Sequence, residues 1–143
     1  MNIQEALENL KNDEAIIVSG KTFQPEKVDE LKLETGEVVY WVRDGEALWL
    51  SVDAESEEVV LFDDVVVEMD MEDDAVFYNN QDFETSYEGV ATILDDSGDS
   101  EKVSFKDYES SDGSILRVMF FEVTGETSVA VGRVIPEEEL QEV

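Results

Sequence analysis

The chain has no cysteine and no histidine. It therefore has no thiol nucleophile, no imidazole base, no Ser-His or Cys-His pair and no ordinary zinc site. Disulfides are excluded as well, which suits a cytoplasmic protein. Cations are scarce: nine Lys and Arg stand against 38 Asp and Glu, for a formal net charge of −29. Each phosphate contact needs a cation, so that balance disfavours direct binding to DNA, RNA or an anionic membrane surface. Long apolar runs are missing too. Stretches such as Ala15–Val18 and Val118–Phe121 fall far short of the ~20 residues of a membrane helix. No basic, then apolar, signal opens the sequence. The eight glycines are scattered and build no phosphate cradle. Gly20-Lys21-Thr22 ends like a P-loop but lacks the upstream glycine and the following helix, so it reads as a hairpin turn.

What is present is a foldable amount of apolar sequence, 42% of the chain, too much for a disordered acidic tail. One domain over residues 1–143 is expected. Residues 1–12 predict a short amphipathic helix, with Ile3, Ala6, Leu7 and Leu10 at helical spacing and Glu5 and Glu8 near its favourable N-terminal end. Everything after it reads as strands. Turn signals recur about every 8–12 residues, the pattern of an all-β antiparallel sandwich or barrel-like domain. Asp44-Gly45 and Asn79-Asn80 are hairpin pairs tolerant of positive φ. Phe23 is expected to open one long extended segment, Val65–Met69 to be a strand of its own, and Phe83–Tyr87 and Gly89–Leu94 to be separate strands. Pro136 opens a polar end with Leu140 and Val143.

Two halves, 14–69 and 75–143, look alike. Asp44-Gly45 precedes Ala47–Asp53, an acidic turn, then Val59-Val60-Leu61 and Val65. Asp112-Gly113 precedes Ile115–Glu122, Thr124-Gly125-Glu126, then Val129-Ala130-Val131 and Val134. Aromatics stand before each Asp-Gly pair, Tyr40-Trp41 in the first half and Phe105 and Tyr108 in the second. The pattern predicts two copies of a three-strand unit, with 38–65 matching 105–134.

Leu48-Trp49-Leu50-Ser51-Val52-Asp53, Tyr87-Glu88-Gly89-Val90-Ala91-Thr92-Ile93, Asp107-Tyr108 and Val131-Gly132-Arg133-Val134-Ile135 resemble, in order and spacing, the prokaryotic domain-of-unknown-function family 4178. The resemblance runs from Glu14 to Val143. Two departures stand out. Tyr40-Trp41-Val42-Arg43 replaces a more acidic tryptophan run, and Phe121-Glu122 is displaced by a longer apolar stretch. The resemblance implies a duplicated β domain, often encoded near membrane-associated or stress-related proteins, and hence an adaptor role. It carries over no catalytic residue.

Clustered carboxylates are the first chemistry to weigh. Asp70, Glu72, Asp73 and Asp74 form one group; Asp95, Asp96, Asp99 and Glu101 form another. A calcium loop needs Gly at position 6 and Glu at position 12. Counting from Asp95 those positions are Ser100 and Lys106; from Asp70 they are Ala75 and Gln81. Both fail, so no metal and no cofactor is expected. A glycosidase-like carboxylate pair is a distant alternative, since with so many acids some pair falls at a suitable distance by chance. The acidic excess itself has three readings: solubility or salt adaptation, a partner with a basic surface, or mimicry of nucleic-acid phosphates. Glu over Asp (23 to 15) and Lys over Arg (6 to 3) speak against salt adaptation. The leading function is a non-catalytic binding or adaptor domain for a protein partner; the alternative is an acidic mimic occupying a DNA-binding protein. Charge speeds encounter but does not define a contact, which needs aromatic anchors. Tyr40, Trp41 and Trp49 are the binding candidates, because one strand cannot bury Tyr40 and Trp41 on the same face. Trp49 either faces the core with Ser51 or lies outside while Leu48 and Leu50 are inside. Arg43, Arg117 and Arg133 are expected in surface pairs with carboxylates, each worth about 0–1 kcal/mol.

Overall fold

A computed structural model describes residues 1–69, 71–94 and 100–143. Helix α1 (Ile3–Lys11) starts at Asn2, whose side chain accepts from the Glu5 N–H, and buries the predicted stripe Ile3, Ala6, Leu7 and Leu10. Strands follow: β1 (Ile16–Val18), β2 (Lys21–Phe23), β3 (Lys27–Leu33), β4 (Val38–Asp44), β5 (Leu48–Asp53), β6 (Glu58–Val65), β7 (Ala75–Tyr78), β8 (Gln81–Leu94), β9 (Ser100–Ser110), β10 (Ile115–Phe121), β11 (Glu126–Val134) and β12 (Leu140–Glu142), the last after a 3₁₀ turn at Glu137–Glu139. Among the described residues no helix is long and apolar enough to cross a membrane.

The chain is all-β apart from α1, and its large sheet closes into an antiparallel eight-stranded barrel. The strand order is β3-β4-β5-β6-β11-β10-β9-β8, with β8 returning to β3 and β7 hanging on the outer half of β8. Each half of the barrel is a four-stranded meander, one strand more than the three-strand unit expected. The first strands of the two meanders pair with each other, as do the last, β6 with β11. Closure at β6–β11 uses Gly132. A Cβ there would sit 2.6 Å from the Leu61 carbonyl oxygen and 2.6 Å from the Phe62 ring, so only glycine lets the strands approach.

Both faces of the barrel wall are covered. Leu31, Trp41, Trp49, Phe62, Val103, Phe105 and Met119 fill the interior. Outside the first meander, α1 and a small sheet of β12-β1-β2 pack on Val42, Leu50, Val52 and Val59. Outside the second, the connection after β6 and strand β7 lay Met69, Met71, Val76 and Tyr78 over Phe83, Tyr108, Leu116 and Val118. Two covered faces explain why these strands read as near-continuous apolar runs.

The turns behave as their residues require. Ser19 and Gly20 at β1–β2, and Asn79 and Asn80 at β7–β8, all take positive φ, the backbone of a type I′ hairpin. Some strand boundaries differ from expectation. Gln24-Pro25-Glu26 interrupts the segment after Phe23, because proline offers no N–H to a ladder. Residues 66–69 are not a separate strand; Val65 ends β6. Phe83–Tyr87 and Gly89–Leu94 are one strand, bent by a bulge between Thr85 and Tyr87. The polar C-terminal stretch is not loose: Leu140 is buried and pairs with Val18 in the small sheet.

Candidate functional site

Alternation decides what faces the barrel axis. On β5 the inward residues are Trp49, Ser51 and Asp53; on β4, Val39, Trp41 and Arg43; on β9, Phe105, Asp107 and Glu109; on β10, Ile115, Arg117 and Met119. Toward one end these positions turn from apolar to acidic, and the barrel opens there into a cavity of about 340 Å³. Trp41, Phe105, Val39 and Ile115 contribute apolar wall. Glu37, Asp53, Glu58, Asp107 and Glu109 contribute carboxylates, with Ser51, Ser56, Ser86, Tyr87 and Arg117. The volume lies within the range of small-ligand pockets.

Deep in the cavity, Arg117 and Asp107 form a two-pronged pair. Arg117 Nε donates to Asp107 Oδ1 at 2.7 Å and Nη2 to Oδ2 at 2.9 Å. Both residues are 8% exposed. The guanidinium lies 4.7 Å from the Phe62 ring centroid and 4.8 Å from that of Phe105. Planar stacking and a fork geometry are what arginine supplies and lysine does not. The surface role expected for Arg117 is thereby corrected. Its register opposite Asp107 on two inward-facing positions puts the pair inside the barrel, where breaking it is far more damaging than breaking a surface pair. Arg133 does stay at the surface, 3.8 Å from Glu139, and Arg43 is half-buried, 2.9 Å from Asp64 at the opposite end of the barrel.

Nearer the mouth, like charges face each other. Asp53 and Glu58 are direct cross-strand partners on β5 and β6. Ser56 Oγ lies 2.9 Å from both Glu37 Oε1 and Asp53 Oδ2. The Glu37 carboxyl is raised above the usual carboxylate range, mainly by its hydrogen bond with Asp53, against the opposing bond from Ser56. That of Glu58 is raised by partial desolvation, then by Asp53, with Asp107 and Glu109 adding and Arg117 opposing. Glu58 is exposed at the rim, yet enough protein surrounds its carboxyl to remove part of its water. Ser51 sits below these acids, 9% exposed, between Trp41 and Val60. Its hydroxyl makes no hydrogen bond within the described residues and lines the cavity.

The aromatic candidates are dispersed. Trp49 takes the inward alternative: it is 1% exposed, stacks on Phe62 at 4.5 Å and donates its indole N–H to Asp64 at 2.8 Å. It is core, and no surface partner reaches it. Trp41 also points inward, 7% exposed, but forms cavity wall. Tyr40, on the outer face of the same strand, is half-buried, with the Lys11 ammonium 4.2 Å over its ring and its hydroxyl 3.4 Å from Glu30. The three therefore do not form one exposed patch, because both faces of β4 are covered. Of the acidic groups, Asp70, Asp95, Asp96 and Asp99 lie outside the described residues. Asp73 and Asp74 are engaged elsewhere: the Asp73 carbonyl accepts from buried Lys106 at 2.7 Å and from Tyr108 at 2.7 Å, and Asp74 lies 3.5 Å from Lys106. Among the described residues no group of three or more Asp and Glu stands in metal-holding geometry.

The sequence reading missed Ser51, Asp107 and Arg117 as site residues. The signal was parity: Asp107 shares its face with Val103 and Phe105, and Arg117 with Ile115 and Met119. A charge on an otherwise apolar inward row calls for a partner across the sheet.

A family model described as a domain of unknown function (DUF4178) matches residues 14–137. No curated protein and no solved structure matches.

Proposed function

We propose, for a chain that belongs to the DUF4178 family of unknown function, a non-catalytic binding or adaptor role in which the barrel mouth receives a basic feature of a protein partner. The observation that carries this is the cavity. Five carboxylates, Glu37, Asp53, Glu58, Asp107 and Glu109, surround it against one cation, Arg117. The net charge of −29 would draw a basic partner in, and the cavity would give the encounter a defined end. Trp41 serves as an anchor from inside the mouth, and Tyr40 at most as a neighbouring outer contact. The reading sets the domain in the cytoplasm, which a cysteine-free chain suits. The identical connectivity of the two meanders supports their origin as two copies of one unit.

The test is capture from host extract on the immobilised domain, at low salt and at about 0.5 M salt. A basic protein that is retained at low salt, released at high salt and lost from a Glu37→Gln/Glu58→Gln variant supports the reading. Retention equal on the variant sinks the mouth as the contact. Displacement of that protein by duplex DNA would instead point to mimicry of nucleic acid.

A further inference from the structure

We infer that the barrel mouth is a receptor for one alkylammonium group, its head taken up among the carboxylates of Glu37, Asp53 and Glu58 above Ser51 and beside the Trp41 ring, its aliphatic stem leading out through the mouth. This rests on the reading of the domain as a binding module and names the group it binds.

Three independent features point there. The first is the Ser51 hydroxyl, nine-tenths buried, directed into the cavity and without a hydrogen bond within the described residues. Its oxygen opens onto the cavity instead of bonding within the protein, so a ligand donor placed there finds a free acceptor without breaking a bond. The second is the facing of Asp53 and Glu58 on adjacent strands, with Glu37 linked to Asp53 through Ser56. Like charges directly opposite on a sheet destabilise it. Ser56 donates to Asp53 and Glu37 and Arg117 opposes from below, but the guanidinium has both prongs on Asp107 and no cation bonds directly to this trio. A cation between them would offset their repulsion. The third is the wall, where aromatic faces beside carboxylates suit a cation on an apolar stem.

The same geometry selects among cations. A metal ion would need three or more close ligands, and no such group exists among the described residues. The planar, stacked place a guanidinium would favour is already filled by Arg117 against Phe62 and Phe105. What remains is a set of acceptors arriving from β5, from β6 and from the turn before β4. An ammonium binds through its donors one at a time at hydrogen-bond length, so it needs less convergence of its acceptors than a metal does. The raised carboxyls of Glu37 and Glu58 agree with that, the first raised mainly by its bond with Asp53 and the second by desolvation and then by Asp53.

An ammonium on an alkyl stem can come from a lysine side chain or from a free amine. Calorimetric titration of the full chain would use Nα-acetyl-lysine N-methylamide, n-pentylamine, and Nα-acetyl-norleucine N-methylamide as the uncharged isostere. One saturable site for an ammonium ligand and none for the isostere is expected, with backbone amide shifts confined to the mouth. Binding by the lysine amide identifies a side chain of a protein partner; binding by pentylamine alone identifies a small amine. Ser51→Ala should weaken binding about threefold to tenfold, and Glu58→Gln roughly tenfold or more. Ser51→Ala removes no bond within the protein, so its Tm should be unchanged. Glu8→Gln, which removes one exposed charge on helix α1 outside the barrel, should leave affinity as it was. Equal binding of the isostere, equal weakening by Glu8→Gln, or no saturable site for either amine overturns the inference. If partner capture is lost with the Glu37/Glu58 variant while neither amine binds, the binding role stands and the ammonium site falls. If an amine binds and no basic protein is captured, the site stands and the protein-partner role falls.

Discussion

At the scale of single residues, the Arg117–Asp107 pair is where stability and architecture meet. Replacing Arg117 by Met leaves a carboxylate buried without its partner, and breaking such a pair costs about 3–5 kcal/mol. The expected result is a urea midpoint lowered accordingly, largely restored in Arg117→Met/Asp107→Leu. A single variant as stable as the parent would mean that water already solvates Asp107. Glu58 should act in the opposite sense. Its carboxyl takes up a proton more readily in the folded chain than in the unfolded one. Its ionisation therefore penalises the folded state above the folded pKa. That penalty fades as pH falls through the folded pKa and is gone below the unfolded one. Glu58→Gln should raise Tm at neutral pH and reduce any gain in Tm between pH 7 and about pH 5. A Tm lowered by this change would show that Glu58 has a favourable partner in the free protein. Asp112 is the reverse case. It accepts from Ser110 Oγ, from the Ser114 N–H at 2.9 Å and from Gln81 at 2.7 Å. Those bonds, Ser110's foremost, hold its carboxyl well below the usual range. The stability it contributes is present above about pH 4 and is lost only in stronger acid.

At the scale of elements, the barrel has two seams where the meanders join. The β3–β8 seam pairs four positions, Glu30–Leu33 with Ala91–Leu94. The β6–β11 seam pairs six, Val60–Val65 with Val129–Val134, and has Gly132 packed close on Leu61 and Phe62. Local opening follows the weaker joint. Amide hydrogen exchange should therefore be faster at residues 30–33 than at residues 129–132. Slower exchange at 30–33 would place the weak joint elsewhere. Helix α1 is not an appendage either. Leu10 is fully buried against the outer face of β4–β6, so Leu10→Ala should cost about 2–5 kcal/mol in chemical denaturation. A cost below about 1 kcal/mol would mean that the helix docks only loosely on the barrel.

At the scale of the whole molecule, charge dominates. With nine cations against 38 anions, carboxylates outnumber the side chains that could pair with them about fourfold. Screening shortens the reach of their repulsion from about 30 Å at 0.01 M salt to a few ångströms near 1 M. Thermal stability should rise between low salt and about 0.5 M salt. A melting temperature flat across that range would mean that the carboxylates are too well separated to repel. The same field would raise the encounter rate with a basic partner at low salt and leave the contact itself to the mouth.

The amino-acid sequence by itself determined the local features. Helical spacing of Ile3, Ala6, Leu7 and Leu10 made α1. Asp-Gly and Asn-Asn pairs made the hairpins, because few other residues take their φ. Alternation and β-branching made the strands. The absence of cysteine and histidine removed whole classes of chemistry. Tertiary structure decided what depends on contacts between distant positions. Whether two meanders stack as a sandwich or close as a barrel rests on β3 meeting β8 and β6 meeting β11, and no local signal encodes either seam. Which face of β4 and β5 is inner could not be read where both faces are apolar, because α1 and the connection after β6 cover the outer one. The cavity is the clearest case. Glu37, Ser51, Asp53 and Glu58 look like ordinary surface residues along the chain, and parity marks Asp107 and Arg117 without saying what they face. They become one site only because closing the barrel turns the inward positions of separate strands toward a single mouth.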